Sequence, residues 1–185
     1  MTVWEDTLYS NGRIQMGRMT MIALKIEDIK SFTVKLFVGE VFDSFLLNEA
    51  SITTFNTFFI DGSICRGFYS REELEENPVG ERSTWSMVKN YCFSLIKGKK
   101  LPGNFKIILQ MPKEGVAKFL ETRKISLSPE QVKGLLVNIR YENERLICVT
   151  GTSVSIFTLD KTLDEEWDQA FQGFLKKNQI PYQKE

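Results

Sequence analysis

Two hydrophobic periods alternate along the chain. Apolar residues at every second position, Ile22-Leu24-Ile26 and again Ile107-Leu109-Met111, predict strands with one buried face. Behind each strand the spacing changes to three and four: Ile29, Phe32, Leu36 and Phe37, then Val116, Phe119 and Leu120, which predicts helices with one apolar stripe. Their polar starts, Glu27-Asp28 and Pro112-Lys113-Glu114, suit a helical first turn, where acids meet the positive end of the dipole and proline loses no bonded N–H. Runs dense in β-branched and aromatic residues, 42–62 and 132–160, predict antiparallel strands, with a hairpin turn at Tyr141–Arg145 and a further turn or bulge near Gly151-Thr152. Two more helices are each headed by a tryptophan: Trp85, Val88, Cys92, Leu95, Ile96 and Trp167, Ala170, Phe171, Phe174, Leu175. Ser83-Thr84 and Asp164–Glu166 supply first-turn or capping groups, and Lys97, Lys99, Lys100, Lys176 and Lys177 lie where a helix C-terminus favours cations.

The order strand, helix, antiparallel strands, helix is thus stated twice, over residues 21–102 and 104–185. An α+β fold follows, with two pseudo-repeats forming one compact unit in which helices cover two short antiparallel sheets. Glu72 to Arg82, acidic and containing Pro78 and Gly80, reads as an exposed loop after a short helical turn. Residues 1–20 show neither period and are expected to be a peripheral extension, with the natural start at Met19 or Met21 and a single domain over 21–185.

Composition narrows the function. With 42% hydrophobic and 26% charged residues the chain is ordinary globular material, and no apolar stretch approaches the roughly 20 residues of a membrane helix. Lys plus Arg and Asp plus Glu number 24 each, so no global field draws a polyanion. Histidine is absent, which removes the commonest general base and metal ligand. Cys65, Cys92 and Cys148 are odd in number and form no C-x-x-C pair; they read as small core residues in a reducing, cytoplasmic compartment, with no thiolate metal site. No phosphate loop, dinucleotide fingerprint, nucleophile elbow or zincin motif occurs, so no catalytic residue and no cofactor is assigned.

Three groups of residues remain as candidates. Glu40, Asp43, Glu49, Asp61 and Asp160 fall near strand ends, where carboxylates serve turns and could also gather round a metal. Asp61-Gly62 is a turn dipeptide, and Ser51, Thr53 and Thr54 read as strand-surface hydroxyls. Lys30 and Lys35 on the first helix, with Lys113, Lys118 and Arg123 on its counterpart, define a candidate phosphate-tracking surface, although Glu27, Glu114 and Glu121 beside them also suit a solvated face. Phe55, Phe58 and Phe59 crowd one strand and point to both of its faces, as a strand would when one side packs inward and the other meets a helix or a partner.

At EASITTFNTFFIDG, WSMVKNYCFSLIKGKK and NIRYENERLICVTGTSVSIFTLD the chain resembles a family of uncharacterised proteins from clostridial-type bacteria, known only as a domain of unknown function. That resemblance implies no activity, substrate or site residue. The segment FKIILQMPKEGVAKFLETR, followed by GLLVNIRYENERLICVTGTSVSIF, is also similar in its order of elements to the repeating unit of DNA sliding clamps. The leading expectation is a non-enzymatic binding or assembly module of a bacterial cytoplasm, with a protein partner or a second copy of itself. Behind it stand a clamp-like nucleic-acid-associated protein and then a carboxylate- and metal-dependent enzyme.

Overall fold

The computed structural model describes residues 22–76, 79–98 and 100–185. The extension at 1–20, the suggested starts Met19 and Met21, and Pro78 and Lys99 lie outside the described residues. In chain order the elements are β1 (Ala23–Ile26), α1 (Ile29–Phe37), β2 (Leu46–Thr53), β3 (Thr57–Asp61), α2 (Arg71–Glu76), α3 (Trp85–Ile96), β4 (Asn104–Gln110), α4 (Lys113–Arg123), β5 (Val132–Glu142), β6 (Arg145–Val154), α5 (Thr162–Lys177) and β7 (Tyr182–Lys184).

All seven strands join one antiparallel sheet in the order β3-β2-β4-β5-β6-β1-β7. Cross-strand partners share a face, so the register names the two sides. One side carries the rows Phe58-Ile52-Phe105-Tyr141-Leu146 and Ile60-Ala50-Ile107-Ile139-Cys148-Leu24. The helices pack there: Phe37 of α1 meets Phe105 at 5.7 Å between ring centroids, and Asp168 and Asp164 of α5 accept hydrogen bonds from Thr150 and Thr152. The other side runs Phe59-Ser51-Lys106-Arg140-Ile147-Lys25 and faces away from the helices. The core is therefore one continuous layer between sheet and helices, in which each fully buried side chain such as Phe37, Leu109 or Phe171 contributes about 1.5–3 kcal/mol.

Local chemistry sets the boundaries. Asp28 caps α1 by accepting from the Ser31 N–H at 2.9 Å, and α4 ends where Lys124 turns left-handed at φ 54°. Lys35 donates from Nζ to the carbonyls of Asn178 and Gln179, at 2.8 and 3.3 Å, and so satisfies orphan acceptors just past the end of α5.

The α+β fold with helices packed on sheet is observed, with the order β1-α1-β2-β3-α2-α3 ahead of residue 104 and β4-α4-β5-β6-α5-β7 from there on. Three details differ from the sequence reading. A single sheet replaces the two short ones, because β4 pairs with both β2 and β5 and so joins the halves. The halves also pair differently: β4 adjoins β5 of its own half, whereas β1 inserts between β6 and β7. Accordingly Trp85 donates to the Leu36 carbonyl of a helix at 2.6 Å, while Trp167 donates to the Leu136 carbonyl of a strand at 2.9 Å. No turn breaks β6 near Gly151, which pairs with Leu136 and leaves room for its side chain; the irregularities fall instead at Leu47/Glu49 and Val132/Gly134. Of the cysteines, Cys92 and Cys148 are buried and Cys65 is exposed. Burial raises the Cys92 thiol to about 12 and pushes the Cys148 thiol up as well, so both remain protonated core residues.

Candidate functional site

The hairpin of β2 and β3 forms one margin of the sheet, and its hydrogen-bond phase shows which backbone groups are left over. Thr54 N–H donates to the Asn56 carbonyl at 2.9 Å and Gly62 N–H to the Asn48 carbonyl at 3.1 Å. These bonds bracket Thr53↔Thr57 and Glu49↔Asp61 as widely spaced pairs, so the intervening pairs, Ile52↔Phe58 and Ala50↔Ile60, exchange the bonds within the hairpin. The N–H and C=O groups of Thr57, Phe59 and Asp61 consequently point away from β2, and no described strand lies beyond them.

Native edges are usually blunted by lysine, proline, a bulge or brevity. Strand β3 reads Thr-Phe-Phe-Ile-Asp and has none of the first three. Phe59 is 65% exposed on the helix-free side, and Phe55, in the turn and not in the strand as its spacing had suggested, is 85% exposed with its ring edge-on to Phe58 at 5.7 Å. Leu101 is exposed nearby, because Gly103 N–H donates to the Thr53 carbonyl at 2.9 Å and brings that segment to the same end of the hairpin.

Helix α3 supplies a second wall. Lys89 reaches back toward α1, donating to Asp43 Oδ1 and Oδ2 at 2.5 and 2.7 Å and to the Gly39 carbonyl at 2.8 Å. Phe93 faces Phe37 on the same flank. At about 100° per residue Met87 and Tyr91 fall on the side of α3 opposite its buried face and are exposed, whereas Val88 and Leu95 lie between the two.

The far end of β3 is held rigidly. Asn48 is the extra residue of a bulge in β2, and Arg82 donates to its carbonyl at 3.1 Å. Gly62 crosses over this bulge so closely that a Cβ there would stand 1.8 Å from the Leu47 carbonyl oxygen, which only glycine permits. Asp61 accepts from Ser63 N–H at 3.0 Å and Ser63 Oγ at 2.9 Å, and those bonds hold its carboxyl below the ordinary value.

The model of a family of unknown function, DUF5721, matches residues 35–183. The chain belongs to that family. No curated protein and no solved structure matches it. Membership of DUF5721 assigns no activity, ligand or partner, so the site has to be weighed on its own geometry.

In this DUF5721 chain the five basic candidates do not form one cluster of unengaged charge. Lys35 is committed to the end of α5, Arg123 pairs with Glu166 at 2.9 Å, and Lys113 stands 3.5 Å from Glu81 in solvent. Their anchor points on α5, Asn178 and Glu166, are separated by about 18 Å of helical rise. Lys30 and Lys118 are exposed on α1 and α4.

Four of the acidic candidates are likewise occupied: Asp43 by Lys89, Glu49 by Lys106 at 2.7 Å, Asp61 by Ser63, and Asp160 by Thr162 N–H and hydroxyl at 2.9 and 2.6 Å. Glu40 is exposed. Among the described residues no three His, Cys, Asp or Glu side chains gather where they could hold a metal ion. No helix among them is long and apolar enough to cross a membrane.

One polar contact has no sequence signal. Asp164 and Asp168, one turn apart on α5, meet Thr152 and the buried Thr150 of β6. Desolvation is the largest influence on Asp168 and raises its carboxyl, opposed by the Thr150 hydrogen bond.

Proposed function

We propose that this chain is a non-enzymatic binding or assembly module of a bacterial cytoplasm that works by adding an extended protein segment to β3. The observation that carries this reading is an edge strand whose outward N–H and C=O groups at Thr57, Phe59 and Asp61 are unpaired among the described residues, with Phe59 and the adjoining Phe55 exposed. Main-chain bonds give such a site affinity for any extended chain, and alternate side-chain contacts give it selectivity. Three free thiols fit a reducing compartment. A nucleic-acid surface on α1 and α4 has less behind it, because Lys35, Lys113 and Arg123 already face acceptors.

The test is a selection of displayed random peptides on the wild-type chain, counter-selected on Phe59→Pro. Proline at 59 removes an N–H that points outward and bonds nothing in β2, so the hairpin keeps its ladder. Enrichment of peptides with alternating apolar residues that depends on Phe59 is expected. Enrichment indifferent to Phe59, or none, overturns the reading unless the edge proves to be filled by a second copy.

A further inference from the structure

Resting on that reading, we infer that the segment accepted by β3 is β3 of a second copy, paired antiparallel about a twofold axis through Phe59. Sheet faces must match across such a pair, since a slip by one residue would put the helix-facing side chains of one copy on the bare side of the other. The outward-pointing residues Thr57, Phe59 and Asp61 all belong to one face, and a twofold axis at Phe59 sets Phe59 against its mate and each Thr57 against the other Asp61. All of these become bonded pairs, so each outward N–H on one copy finds an outward C=O on the other.

The side chains agree with this register. Phe59 meets Phe59 on the bare face, and on the helix side Phe58 lies opposite the other copy's Ile60. The only charge in the strand, Asp61, faces a threonine hydroxyl. Slipping the pair by two residues removes a bonded pair at one end and sets either Asp61 against Phe59 or Thr57 against Phe59, which leaves Thr57 or Asp61 without its partner. The strand is thus self-complementary in hydrogen bonds, in side-chain faces and in charge in one register above the others. Dimerisation doubles the sheet, with both helix layers on the same side.

Sedimentation of the full chain over a range of concentrations, joined to disulfide trapping, tests this. Wild type is expected to show a reversible dimer, and Phe59→Pro and Phe59→Lys to weaken it roughly 100-fold while keeping the far-ultraviolet spectrum. With Cys65→Ser removing the exposed thiol, Phe59→Cys should form a disulfide dimer on mild oxidation, because directly opposed Cα atoms at about 5.5 Å suit the bond. Phe58→Cys, on the other face and out of register with itself, should not. A wild-type chain that stays monomeric throughout, or equal trapping at 58 and 59, overturns the twofold pairing. If a monomeric chain still selects displayed peptides through Phe59, the edge reading stands and the second copy is replaced by another protein; if neither occurs, both fail.

Discussion

The two margins of the sheet are built in opposite ways. β7 has three residues, carries Gln183 and Lys184, and runs into Glu185, which pairs with Arg145. Its side chains are tied down, with Gln183 Nε2 donating to Glu27 Oε1 at 2.7 Å. β3 has five residues, four of them uncharged, and sends Phe59 into solvent. Shortness and charge keep the first margin from templating another chain, and the second is longer and carries a single charge, Asp61, at its end. Because both margins belong to one sheet on one core, the difference cannot come from overall composition. It lies in which side chains each end strand presents, and so it is a local property that point substitutions can move.

The largest effect should come from removing the seat of the open margin. Lys89→Ala leaves the three-quarters enclosed Asp43 carboxylate without its cation, which should cost about 3 kcal/mol in denaturant unfolding and loosen α3 from the segment that follows α1. Next, Gly62→Ala forces a methyl into the Leu47 carbonyl and should destabilise by about 3 kcal/mol, read as a lowered thermal midpoint. Proline scanning then separates the two sides of β3. Phe58→Pro removes a bond to Ile52 and should cost about 3 kcal/mol, whereas Phe59→Pro should stay within about 1 kcal/mol. Equal losses at the two positions would contradict the assigned hydrogen-bond phase. At the protected margin Lys184→Val should leave the sedimentation behaviour unchanged, since a three-residue strand offers too little backbone to pair.

The smallest effect is a pH dependence near β1 and β7. Asp168 titrates above its ordinary 3.8 in the folded chain because of desolvation, so the folded state holds its proton more tightly than the unfolded one. Its contribution to stability is fully present below 3.8 and is lost as pH rises through the raised value. Compared with Asp168→Asn, the wild type should therefore lose relative stability as pH climbs from 3.8 through the raised value and level off above it. The opposite slope would mean that the Thr150 hydrogen bond outweighs burial.

Local periodicity made most of the elements legible. Ile29-Phe32-Leu36 and Trp167-Phe171-Leu175 name their helices because side chains three and four apart share a face wherever the helix docks. The aromatic crowding at Phe58-Phe59 was equally plain. Its position at a margin was not, because that depends on β4 pairing with β2 on one side and β5 on the other, a choice made across distant segments. The basic residues illustrate the same limit: Lys35 looks like any surface lysine until α5 ends beside it, 143 residues later in the chain. Gly151 differs for a related reason: it pairs with Leu136 in an unbroken ladder, and that pairing is set by a strand outside its own local sequence.

The placement of β1 has a consequence for the chain as it leaves the ribosome. Ala23 must wait for Val149 before it can bond, and its other neighbour, β7, comes later still. At an elongation rate of roughly 5–20 residues per second that is a delay of roughly 6–25 s during which Leu24 and Ile26 stay uncovered. The middle strands β2 to β5 can assemble in the meantime, so the opening strand, made first, docks after all of them and is the segment most in need of a holding chaperone during synthesis.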